Sequence, residues 1–365
     1  MKLFQQLLVA PAALGLLAPL SVSASEINLD AISNYSEDNL EINSDSFNQK
    51  SSNNTLLSGG EGLVDSGDFT GGFSETTTAS FGVDFLVGAV DGASSEATAF
   101  SYQMGIGLET SFTGEDALSA TIDIGNGAGA AASSDGLNFD STSDVLTLDG
   151  LTYTFPVGGA TVMVGDNTDI SAVYTGACAY NAFTDYMGNC GTGNSVGVGG
   201  NGATAAMSYA FDSGFSLAGG VSSTPTSILT EEGTDTYGIE AAYTADSYGL
   251  AVAYSDNESS TFWGVNGTYA FDFATISAGL ESEDPGSATK TGFFVGLSFP
   301  EVGAGSFDIG MGTSANYASS DTEYYTYEAS YSYPINDGMA ITPGVYIKEG
   351  TTDTTGFAVK TSFSF

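Results

Sequence analysis

Through most of the chain beyond about residue 76, apolar side chains recur at every second position, which places them on one face of an extended strand. Between Phe100 and Phe112 one face carries Phe100, Tyr102, Met104, Ile106, Leu108 and Phe112, and the other carries Ser101, Gln103, Gly105, Gly107, Glu109 and Ser111. A strand of this length with one wholly apolar face is longer than soluble sandwiches usually employ and suits a bilayer crossing. The pattern recurs at about 78–90, 117–124, 145–155, 160–165, 203–211, 215–222, 235–244, 248–256, 261–271, 275–281, 290–299, 306–313, 323–333, 339–348 and 355–365, which predicts about sixteen strands in all.

The connections sort by length. Short ones, such as Thr113–Asp116, Pro156–Gly159, Asp212–Gly214, Thr244–Ser247, Asp272–Phe273 and Pro334–Gly338, alternate with generally longer ones. Periplasmic turns and external loops produce that alternation, and an even number of strands returns both ends of the sheet to the same side.

No apolar run beyond the N-terminus approaches the length of a membrane helix. In hydrocarbon every backbone N–H and C=O must be paired internally, so strands cross a membrane only as a closed barrel with an apolar outer surface. Tyr325, Tyr327, Ala329, Tyr331 and Tyr333 on one strand, and Phe293, Val295, Leu297 and Phe299 on another, supply such a surface. A secreted sandwich or β-helix adhesin would also alternate, but its outer faces should be polar. The expected fold is therefore all-β, a transmembrane antiparallel up-and-down β-barrel over 76–365. It is preceded by a signal peptide over 1–24, with Val22-Ser23-Ala24 as cleavage site, and a flexible polar periplasmic segment over 25–75.

The formal charge of -39, from 44 Asp and Glu against 5 Lys and no Arg, excludes phosphate-backbone binding and so nucleic acid. High acidity with 42% hydrophobic residues also argues against a disordered chain. Absence of histidine removes imidazole catalysis and His-ligated zinc, and no acidic loop matches an EF-hand. Gly125–Gly129 lacks the lysine of a phosphate loop. The sequence predicts no enzyme, no cofactor and no metal site.

If the apolar faces meet lipid, the opposite faces line the interior. They contribute Asp84, Glu109, Asp123, Glu240, Glu281, Asp308 and Glu328 against Lys348 and Lys360, and the small residues among them argue for an open bore. Carboxylates around a watery lumen concentrate cations and repel anions, more weakly as salt rises. The other reading places these groups at strand ends in solvent, where they maintain solubility. The longest connection, about 166–202, is the third external loop and carries Asp166, Asp169, Tyr174, Tyr180, Asp185 and Tyr186. A disulfide between Cys178 and Cys190 fits an exported chain and would stiffen the loop, either as an inward-folded constriction or as an external loop stapled against proteases.

The opening Met1–Ala13, the run Ile106–Gly114, the turn Tyr153–Gly158 and the ending Lys360–Phe365 resemble cyanobacterial outer-membrane porins of the carbohydrate-selective and iron-uptake group. The resemblance implies an outer-membrane homotrimer for passive uptake of small solutes or inorganic ions. The terminal Phe363 and Phe365 resemble the signal read by the barrel assembly machinery. Family members usually carry a surface-layer-homology domain before the barrel, and residues 26–72 are too short and too polar to form one. The alternative function is a structural or surface-interaction barrel with a plugged lumen, still in contact with outer-membrane lipid.

Overall fold

A computed structural model of the chain describes residues 77–92, 97–127, 139, 142–196, 202–313 and 323–364. The expected signal peptide, the expected 25–75 segment and Phe365 lie outside these residues. Sixteen strands form one closed antiparallel barrel in which each strand pairs with its sequence neighbours and β1 pairs with β16. In chain order they are β1 (Thr77–Asp91), β2 (Ala99–Thr110), β3 (Ala117–Gly125), β4 (Thr147–Val157), β5 (Ala160–Thr168), β6 (Gly202–Ala210), β7 (Phe215–Ser223) and β8 (Asp235–Thr244). The second half comprises β9 (Tyr248–Asp256), β10 (Thr261–Ala270), β11 (Thr275–Asp284), β12 (Lys290–Val302), β13 (Gly305–Thr313), β14 (Tyr325–Asn336), β15 (Met339–Lys348) and β16 (Thr354–Ser364).

All sixteen expected segments are strands, and their ends differ from the expectation by a few residues. Strand β14 continues through Pro334 to Asn336, so its turn is only Asp337 and Gly338. The proline sits at a register shift between Pro334 and Asn336, where the ladder loses nothing by its missing N–H. Other tight turns close the same end in the same way. Val157 pairs with Ala160 across two glycines, and Gly158 takes φ 64°, a left-handed conformation that favours glycine.

The register fixes the two faces, because residues paired across an antiparallel ladder project to the same side. One face carries Phe85, Phe100, Leu217, Ile239, Val252, Ile309 and Val345, all exposed. So continuous an exposed apolar surface is stable only against lipid. Tyr209, Tyr243, Tyr248, Tyr269 and Tyr333 mark its turn end, and Tyr237, Tyr254, Trp263, Tyr325 and Tyr327 its loop end, two girdles of the kind that sit at membrane–water boundaries. Among the described residues no helix is long and apolar enough to cross a membrane, which says nothing of a crossing by strands. Phe363 belongs to this outer face on β16, pairs with Val83 of β1 and packs edge-on against Phe85 at 6.0 Å, across the seam that closes the barrel.

At the turn end between β2 and β3, Asp116 holds the hairpin. Its Oδ1 accepts from the Ser111 and Thr113 hydroxyls and from the Phe112 and Thr113 amides, and its Oδ2 accepts from the Tyr153 hydroxyl at 2.7 Å. The Tyr153 bond and those from Thr113 and Ser111, outweighing desolvation, hold the carboxyl well below the usual carboxylate range.

Candidate functional site: the inner wall and its third loop

Following the ladder from strand to strand puts Asp84, Glu109, Asp123, Glu240, Glu281, Asp308, Glu328, Lys348 and Lys360 on the face opposite the apolar belt. The pairs Gly105↔Asp123, Ala218↔Glu240, Gly264↔Glu281, Ser298↔Asp308, Gly310↔Glu328, Thr326↔Lys348 and Leu86↔Lys360 carry that assignment around the barrel. They share a face but not an environment, because of the third long connection.

That connection leaves β5 at a register shift between Gly165 and Thr168, where Asn167 takes φ 56°. A bulge bends its strand, and here the chain turns toward the interior. Asp166 belongs to β5 and not to the loop, contrary to the sequence expectation, and it caps the Asn167 amide. The loop proper runs from Asp169, which accepts from the Ser171 amide and starts a 3-10 turn over Ile170–Val173. It then follows the inner wall. Ile170 packs with Met163 and Ala206, Ala177 with Ala242 and Ala251, Tyr180 with Phe294, and Phe183 with Leu86, Tyr346 and Ala358. From β5 the outgoing leg thus reaches β15 and β16.

The return begins over Asp185–Gly191, whose helical turn is broken at Gly188, Asn189 and Cys190. Asn189, Cys190 and Gly191 are left-handed in succession, at φ 50°, 50° and 70°. Cys190 comes back beside the outgoing leg and is bonded to Cys178, with their Cα atoms 5.7 Å apart. The disulfide closes residues 179–189 into a ring whose underside rests on the wall: Met187 and Cys190 are fully buried against Phe294. Thr192 then accepts from the Asn266 amide at 2.8 Å, and the helical turn Gly193–Val196 leads back along β8–β10.

Wall carboxylates accept the loop's backbone donors. Glu240 Oε1 accepts from the amides of Thr175 (2.7 Å) and Gly176 (3.1 Å), and Glu281 accepts from the Ser195 amide. Glu328 accepts four bonds, two of them from backbone amides: Oε1 from the Tyr180 hydroxyl (2.9 Å) and the Phe183 amide (2.8 Å), Oε2 from the Thr184 amide (2.8 Å) and hydroxyl (2.5 Å). Asn181 hydrogen-bonds Asp308. Glu240, Glu281, Asp308 and Glu328 are 2%, 0%, 3% and 3% exposed, so they present no charge to a watery bore, which corrects the reading of them as solvent-facing wall groups. A buried carboxylate is tolerable when several donors satisfy it, and bonds to an ionised acceptor are the stronger kind.

Glycines make the close seating possible. A Cβ at Gly310 would stand 2.6 Å from the Tyr180 hydroxyl and one at Gly238 2.5 Å from that of Tyr174; at Gly279 and Gly344 it would overlap the Cys190 carbonyl and the Phe183 ring. The small inward residues that argued for an open bore are, on this side, the bed of the loop.

The phenol of Tyr180 is raised above its ordinary value by burial and then by the charge of Glu328, so it remains a donor. Burial, then Glu240 and Asp169, do the same for Tyr174, whose hydroxyl lies buried without a hydrogen-bond partner among the described residues. Asp185 is exposed at the ring, and the Lys348 ammonium donates to the Tyr186 hydroxyl at 2.9 Å while lying 4.5 Å from the ring centroid.

The remaining wall differs. Asp84 accepts from Gln103 of the neighbouring strand at 2.9 Å, Glu109 is exposed, and Asp123 and Lys360 are partly exposed. Where the loop leaves β5, a polar recess of about 420 Å³ is lined by Ser119, Thr121, Asp149, Thr152, Asn167 and Asp169. Asp149 and Asn167 are additions that the sequence reading did not single out; the bulges that aim them have no clear pattern in the sequence.

The closed sixteen-strand barrel has solved counterparts. OprB of Pseudomonas putida superposes with a TM-score of 0.62 at 12% identity, over 80% of this chain and 94% of that one. The fold is that of the bacterial porins. A substituted form of the Rhodopseudomonas blastica porin superposes with a TM-score of 0.54 at 17% identity, over 80% of this chain and the whole of that one. A second substituted form of that porin gives the same TM-score and coverage at 18% identity. No known family profile matches the sequence, and no curated protein sequence does. With identities this low, the porin fold is what the likeness establishes.

Proposed function

We propose that the chain is an outer-membrane channel for passive diffusion of small hydrophilic solutes and ions, with a preference for cations. The observation that carries the reading is the pairing of a continuous apolar outer belt with an inner wall that stays polar and acidic at Asp84, Glu109 and Asp123 where the loop leaves it uncovered. Fixed carboxylates beside a low-dielectric wall raise the local cation concentration. Asp169, Tyr174, Asp185 and Tyr186 belong to the loop that narrows the bore in this reading, and the disulfide keeps that narrowing in place. The solved porins of the same fold support transport over catalysis. The sequence resemblance adds carbohydrate and inorganic iron as candidate solutes, a homotrimer as the assembled form, and the barrel assembly machinery as the partner that reads the C-terminal strand.

Purified protein in planar bilayers should give stepwise conductance, and in a salt gradient a reversal potential of cation-selective sign that shrinks at high salt. Glu109→Gln should reduce it. Anion selectivity would remove the cation preference; absence of any conductance or solute flux would favour the plugged structural barrel, a reading to which the length of wall under the loop lends some weight.

A further inference from the structure

The geometry points to a division of labour among the inward carboxylates: Glu328, with Glu240 and Glu281, positions the third loop through hydrogen-bond acceptance and takes no part in setting charge selectivity, which belongs to Asp84, Glu109 and Asp123. The inference rests on the channel reading for its electrical consequences and on the structure alone for its mechanical one.

Glu328 is the strongest of the anchors. Both of its oxygens are occupied, each by one amide and one hydroxyl, and all four donors come from Tyr180, Phe183 and Thr184 within the ring closed by the disulfide. Glu240 holds the outgoing leg at Thr175 and Gly176, and Glu281 the returning leg at Ser195. The three carboxylates lie on β14, β8 and β11, so the loop is fixed at widely separated points around the barrel. Covered by loop atoms, these carboxylates give their lone pairs to loop donors and not to water or ions in the bore. A permeating ion meets Glu109 in water and meets the loop's outer surface above Glu328.

Acceptance at both oxygens makes Glu328→Gln informative, because the amide must turn an NH₂ toward two of the four donors. The partner change Thr184→Val removes one donor while leaving every wall charge in place. Hydrogen exchange on the full-length protein in detergent micelles should show the amides of Phe183 and Thr184 exchanging about tenfold faster or more in Glu328→Gln, the order expected for one lost charge-assisted bond. Thr184→Val should move them the same way, and Glu109→Gln should leave them unchanged. In bilayers, Glu328→Gln and Thr184→Val should both alter single-channel conductance and open-channel noise with the reversal potential of the parent; Glu109→Gln should shift the reversal potential with little change in noise. If Glu328→Gln moves the reversal potential as far as Glu109→Gln and leaves exchange in the ring untouched, Glu328 is a pore charge and the inference is overturned. Should the parent protein itself fail to conduct, the channel reading falls, while the exchange measurements still decide whether Glu328 holds the loop.

Discussion

The ring of Phe183 occupies the space that a side chain at Gly344 would need. Gly344 pairs with Ser330 on one side and Ala358 on the other, so its backbone is an ordinary part of the ladder and its lack of a Cβ serves the loop alone. The porin fold here is a barrel whose inner surface has been cut to receive one of its own connections.

Gly344→Leu should therefore leave the barrel closed and lift the ring of the third loop. Heat-modifiable migration should remain that of a folded barrel, while hydrogen exchange over 179–189 should quicken. Loss of the folded barrel band, or an unchanged exchange pattern, would show that the glycine has some other purpose.

Two tyrosines of the loop make opposite predictions. Tyr180→Phe removes a donor from Glu328 and should cost about 1–3 kcal/mol, the range for a bond to a buried charged group. Tyr174→Phe removes a buried hydroxyl that has no partner among the described residues, and should be neutral or stabilising. Denaturant unfolding of the two variants in detergent micelles tests the contrast, and a destabilised Tyr174→Phe would reveal a bound water or partner at that hydroxyl.

The Asp116 hairpin gives a pH dependence with a definite sign. Because the native carboxyl is held below its unfolded value, its contribution is fully present above the ordinary range near pH 4 and disappears only as pH falls through the depressed native value. The difference in heat-unfolding midpoint between the parent and Asp116→Asn should be constant from about pH 7 to pH 5 and shrink below about pH 4. A difference that fades above pH 5 would contradict the hydrogen-bonded arrangement with Tyr153.

Lys360 offers a test of charge sign from the other direction. It is partly exposed on the inner face of β16, opposite Leu86 of β1 and beside the uncovered wall. Lys360→Gln should raise the cation preference, read as a reversal potential moving away from that of the parent in the sense opposite to Glu109→Gln. Movement in the same direction would place the permeation path elsewhere.

The sequence made the barrel legible because a membrane strand must keep one face apolar along its whole length, and that demand is written locally, as in Phe100 to Leu108 and Tyr325 to Tyr333. Which carboxylates meet water was not legible. Glu109 and Glu328 both alternate with apolar neighbours and both face inward, yet only Glu328 lies beneath the loop. That difference arises from a contact between positions separated by 145 residues, and no local pattern encodes it. A signal was nonetheless present in the inward glycines Gly279, Gly296, Gly310 and Gly344, which read as empty lumen and are in fact a seat. Asp166 was misplaced for a simpler reason: β5 runs three residues beyond the expected 160–165, through Asp166, Asn167 and Thr168, which no hydrophobic period marks.

Cys190 has no surface open to solvent, lying between the loop's return and Phe294 of the wall. In disulfide exchange a thiolate attacks a disulfide sulfur, so in the settled loop an external thiol can reach this bond only from the side of the half-buried Cys178. The barrel wall thus guards one end of the tie that shapes its own loop, and opening the ring has to begin at Cys178.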